Sequence, residues 1–82
     1  MTLRDVVVLD AGSVTYAVDG VQLLIVCVFP NDGWSPTVEL SIVREVEVSF
    51  RNSGARVVLN LQLEGNQVRV RIRDRRMATR TE

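Results

Sequence analysis

Short turn signals cut this chain into runs in which apolar and polar residues alternate, and that alternation leaves few folds open. A period of two places successive side chains on opposite faces of a strand, whereas a helix needs apolar residues three and four apart. The spans 4–9, 13–18, 21–29, 37–43, 45–51, 56–64 and 67–74 read as strands. The spans 37–43 and 45–51 are nearly continuous, and counting them as one gives six strands. Sixteen residues are valine, a β-branched excess that suits pleated, half-buried surfaces.

The turns set registers. With Asp19-Gly20 as a two-residue loop, Val18 faces Val21, Tyr16 faces Leu23 and Val14 faces Ile25. With Ser53-Gly54, Phe50 faces Val57, Val48 faces Leu59 and Val46 faces Leu61. With Gly65-Asn66, glycine first as a type II′ turn prefers, Leu63 faces Val68, Leu61 faces Val70 and Leu59 faces Ile72. A slip of one residue would turn each apolar set to the wrong face.

Between these hairpins, 38–51 keeps Val38, Leu40, Ile42, Val46, Val48 and Phe50 on even positions, and Arg44 breaks the pattern. Fourteen extended residues would span about 46 Å at ~3.3 Å each, against a diameter of about 30 Å for a compact domain of this size. A long strand bent near residues 43–45 answers this, as in small barrels. The competing reading is a helix over 36–46, with Ser35 as N-cap and Pro36 in the first turn. The strand over 21–29 is apolar on both faces: Leu23, Ile25, Cys27 and Phe29 on one, Leu24, Val26 and Val28 on the other. It needs cover on both sides, from within the chain or from a second copy.

The fold expected is therefore all-β: an antiparallel six-stranded meander forming a small barrel or two-layer sandwich, with a long bent strand around residues 38–51. Residues 1–74 form one domain, and 75–82 a flexible arginine-containing tail.

The chemical inventory points away from catalysis. There is no histidine, the commonest general base and metal ligand. No metal-binding, nucleophile-elbow or phosphate-loop motif occurs. Cys27 lies in an apolar run with no imidazole to activate it, which reads as inert core packing. No metal or other cofactor is expected. Ten arginines balance ten carboxylates, and lysine is absent. A neutral chain is not an electrostatic trap for nucleic acid or acidic membrane. The longest apolar stretch is half the length of a membrane helix, and the N-terminus lacks the pattern of a signal peptide. Together with the lone cysteine, these favour a reducing, cytoplasmic setting.

Two features could bind. Arg69, Arg71 and Arg73 alternate with Val68, Val70 and Ile72 on one outward face, followed by Arg75 and Arg76. The registers set Arg69 beside Gln62 and Glu45, and Arg71 beside Asn60 and Glu47, rows of Glu, amide and Arg. The second feature is the loop Pro30-Asn31-Asp32-Gly33-Trp34-Ser35-Pro36. There Trp34 either plugs the core or anchors an interface, with Asn31 and Asp32 beside it. The stretch Gly65-Asn66-Gln67-Val68-Arg69 resembles a hairpin of the carbon storage regulator family of RNA-binding proteins. That family's arginine-rich N-terminal strand has no counterpart in this sequence, and the likeness implies a shared turn alone.

The function expected is a non-catalytic protein-binding module: a small inhibitor, an immunity-type protein or an assembly protein, of bacterial or phage origin. Its partner would be another protein or a second copy, met by Trp34, Asp32, Asn31, Arg69, Arg71 and Arg73. The alternative is nucleic-acid binding through Arg69, Arg71, Arg73, Arg75 and Arg76.

Overall fold

The computed structural model describes residues 1–75. Strands β1 (Thr2–Val8), β2 (Gly12–Asp19) and β3 (Gln22–Pro30) form one antiparallel sheet in that order. Strands β4 (Ser35–Ile42), β5 (Glu45–Asn52), β6 (Ala55–Glu64) and β7 (Gln67–Asp74) form a second. Each strand pairs with its neighbour in sequence, so both sheets are meanders. The all-β expectation holds; the six-stranded barrel does not, because seven strands divide into two sheets that do not close. Among the described residues no helix is long and apolar enough to cross a membrane.

The hairpins β5–β6 and β6–β7 have the registers read from their turns, including Phe50 opposite Val57 and Leu61 opposite Val70. The β2–β3 hairpin differs. Its loop is Gly20-Val21, so Val18 faces Leu23 and Tyr16 faces Ile25. Gly20 takes φ 65° at the first turn position, a value that L side chains resist. Moving the loop by one residue moves the pairs by two, which leaves the faces unchanged.

A β-bulge then changes them. Ile25 pairs with Tyr16 but Cys27 pairs with Thr15, so Val26 is the extra residue. Beyond it Val28, opposite Val14, takes the inward side that an unbroken strand would give to Cys27. Cys27 is exposed, which overturns its reading as core packing.

The long bent strand over 38–51 is also corrected, as is the helix over 36–46. Val43 and Arg44 form a tight turn between β4 and β5, and Ile42 pairs with Glu45. The polar interruption at Arg44 marks that reversal. The turn's carbonyls are satisfied: Leu23 N–H donates to Val43 O at 2.7 Å and Leu63 N–H to Arg44 O at 2.9 Å. The first of these bonds ties the turn to β3 of the other sheet. A second bulge lies at Glu39, between Val38 opposite Val48 and Leu40 opposite Glu47. Leu40 and Ile42 thereby turn to the outer face, away from Val46 and Val48.

The inward faces share one core. Val8, Ala11, Val14, Tyr16 and Leu23 come from the three-stranded half. Val46, Val48, Phe50, Val57, Leu59, Leu61 and Leu63 come from β5 and β6. Full burial of a side chain of this size contributes about 1.5–3 kcal/mol relative to exposure, so the central strands β5 and β6 carry the larger part of the packing.

Candidate functional site

On the outer face of the four-stranded sheet the residues stand in rows. Ile42, Glu45, Gln62 and Arg69 form one, and Leu40, Glu47, Asn60 and Arg71 the next. Then come Thr37, Ser49, Val58 and Arg73. The Glu, amide and Arg rows therefore have the order read from the registers. Asn60 Nδ2 donates to Glu45 Oε2 at 2.9 Å and Gln62 Nε2 to the same oxygen at 3.4 Å. Arg69 pairs with Glu64 at 3.2 Å, a diagonal neighbour rather than the glutamate of its own row. Arg71 and Arg73 have no ion-pair partner among the described residues.

A fourth row escaped the sequence reading. Arg51 lies directly opposite Arg56, and Arg75 N–H donates to Arg56 O at 2.7 Å, extending the row past the end of β7. The pairing of Arg51 with Arg56 follows from the Ser53-Gly54 turn and was available in the sequence. The carboxylate that joins them was not. Glu39 Oε2 lies 3.9 Å from Arg51 and 3.8 Å from Arg56 while accepting the Ser49 hydroxyl at 2.6 Å, a position that depends on the β4 bulge.

The outer face of the three-stranded sheet is different. Its rows are Leu3, Ala17 and Leu24; Asp5, Thr15 and Cys27; Val7, Ser13 and Phe29. On these rows Leu3 is 61% exposed, Val7 69% and Phe29 54%, while Ala17 is buried between Leu3 and Leu24. The Asp5 carboxylate accepts the Thr15 hydroxyl. No described element covers this side of β3, so the cover that its two apolar faces require is supplied on one face only.

The loop residues separate in role. Asn31 holds the β1–β2 turn: its N–H donates to Ala11 O at 2.8 Å and its Nδ2 to Asp10 O at 2.9 Å. That turn carries Leu9 at φ 53°, a left-handed conformation costing on the order of 1 kcal/mol. Trp34 N–H donates to Asn31 O at 3.0 Å. The Trp34 side chain is half-buried and packs against the core. Asp32 is exposed. Comparison with protein-family models, curated proteins and solved structures found no match. The loop leads into the Arg51 end of the four-stranded sheet, and Arg69 stands six strand positions away, about 20 Å at ~3.3 Å per residue. Trp34, Asp32 and Asn31 thus do not share one patch with Arg69. Arg76 lies outside the described residues, as does the tail from 76 onward.

Proposed function

We propose that this chain is a non-catalytic protein-binding module that docks its partner on the outer face of the three-stranded sheet. The observation that carries the reading is the exposure of Leu3, Val7 and Phe29 on that one face, on either side of the Asp5, Thr15 and Cys27 row. Monomeric proteins seldom leave contiguous apolar patches of more than a few hundred Å² in water. Apolar and aromatic side chains at the centre of such a patch supply most of the affinity of an interface. The partner is a protein with an apolar surface, consistent with an inhibitor, an immunity-type protein or an assembly subunit. Affinity capture with wild type, Val7→Glu and Val21→Glu tests this. Val21 is exposed in the β2–β3 turn, off the face. A protein retained by wild type and Val21→Glu but lost with Val7→Glu supports the reading; equal recovery by all three sinks it.

Nucleic-acid binding is the second reading, favoured by Arg71 and Arg73 standing without ion-pair partners on an edge strand. Against it, Glu39, Glu45 and Glu47 belong to the same sheet, and its outward rows hold no aromatic on which a base would stack. Backbone contacts of this kind weaken steeply with salt, so a gel shift at low ionic strength decides: no shift removes this reading.

A further inference from the structure

We infer that Arg51, Arg56 and Arg75 form a binding site for a phosphate-type oxyanion, separate from the apolar docking face. Like charges directly opposite on neighbouring strands destabilise a sheet. This row nonetheless sets three arginines abreast. The carboxylate among them does not saturate them. Glu39 Oε2 stands 3.8–3.9 Å from the guanidinium nitrogens, beyond the roughly 3.2 Å limit of a well-formed N–H···O bond. That same oxygen already accepts the Ser49 hydroxyl.

One further observation points to a ligand. Arg51, Asn52, Gly54, Ala55, Arg56 and Arg75 line a shallow, open concavity of about 470 Å³. The Arg56 Nε is buried and has no acceptor among the described residues. An Nε closed to water is closed to a ligand as well, so the contacts on offer are the outer guanidinium nitrogens of Arg51 and Arg56, whose nearest carboxylate oxygen stands 3.8–3.9 Å away. Guanidinium groups are planar forks that hold carboxylate or phosphate oxygens in bidentate pairs. A dianionic phosphate matches the net charge of three arginines and one glutamate. The openness of the concavity suits a phosphate group presented from outside, either free or as a monoester.

Titration of the full chain with inorganic phosphate, at ionic strength held constant with chloride, tests the site through arginine Nε–H chemical shifts. O-phosphoserine in a parallel arm separates the free ion from a monoester. Saturable shifts at Arg51, Arg56 and Arg75 are expected. Arg51→Gln should weaken binding about tenfold or more, the loss of one charge-assisted contact. Its side chain is 62% exposed, so the fold should survive. Glu39→Gln should tighten binding several-fold, because it removes the competing carboxylate while keeping an acceptor for Ser49. A glutamate with a purely structural role would not have that sign. Arg71→Gln, two rows away, should change nothing. Shifts that do not saturate, that chloride reproduces, or that Arg71→Gln weakens as much as Arg51→Gln overturn the site. In the last case a strand-long phosphate backbone, not one oxyanion, is what the face reads. Failure of this titration leaves the docking-face experiment untouched.

Discussion

On the four-stranded sheet the outward rows end in Arg69, Arg71 and Arg73, with glutamates and amides between in the first two and Ser49 and Val58 in the third. On the three-stranded sheet the outward rows begin in Leu3 and Val7 and end in Leu24 and Phe29. Both sheets turn their other face to one shared core. The first outer face is mostly polar, its groups solvated or paired, with Ile42 its exposed large apolar residue. The second leaves apolar area in contact with solvent. Alternation tells which face of an unbroken strand the chain buries; a bulge reverses that face beyond it.

If one core joins the two sheets, Phe50→Ala should show it most strongly. Phe50 is fully buried, and its loss should cost about 3–5 kcal/mol. Urea unfolding followed by separate probes in each sheet should give one shifted transition; a three-stranded sheet melting on its own would break the comparison. Gly12→Ala comes next. An added Cβ would stand 2.3 Å from Phe29 O and 3.1 Å from the Phe50 ring, at φ +154°. The backbone strain alone costs about 1–3 kcal/mol, read as a lower melting temperature with unchanged strand content by circular dichroism.

The outer faces are compared by a matched pair. Val58 lies outward on β6 but is 5% exposed, whereas Val7 lies outward on β1 and is 69% exposed. Val58→Ser should lose about 1.5–3 kcal/mol, and Val7→Ser should stay within about 0.5 kcal/mol, both measured by urea midpoints. Equal losses would erase the difference between the faces. The smallest effect belongs to Arg69 and Glu64. Both side chains are half exposed, so Glu64→Gln should cost about 0–1 kcal/mol, a loss that should vanish in high salt.

The hairpins around Ser53-Gly54 and Gly65-Asn66 were legible because each turn and both flanking apolar sets agree on a single register. The β2–β3 turn was legible to the correct face and not to the correct pair, since Asp19-Gly20 and Gly20-Val21 both offer glycine to the loop. The bulges at Val26 and Glu39 left no mark in the local composition. Each adds one residue and reverses the faces beyond it, which is why Cys27, Leu40 and Ile42 were assigned to the wrong side. Arg44 breaks the alternation, but a tight turn without glycine, proline or asparagine carries no strong signal. For the binding surfaces, the arginine rows came directly from register. The apolar outer face depended on knowing that nothing else in the described chain folds over β3.

The rate at which Cys27 is alkylated in the native chain tests the exposed sheet face most directly, because the bulge at Val26 places this residue on the outer face opposite Thr15, two residues before Phe29. With the face open, the native protein should react at a rate close to that of the unfolded chain, and a protein held on that face should slow it sharply. A thiol that reacts only as fast as the protein unfolds would put Cys27 in the interior and contradict the account.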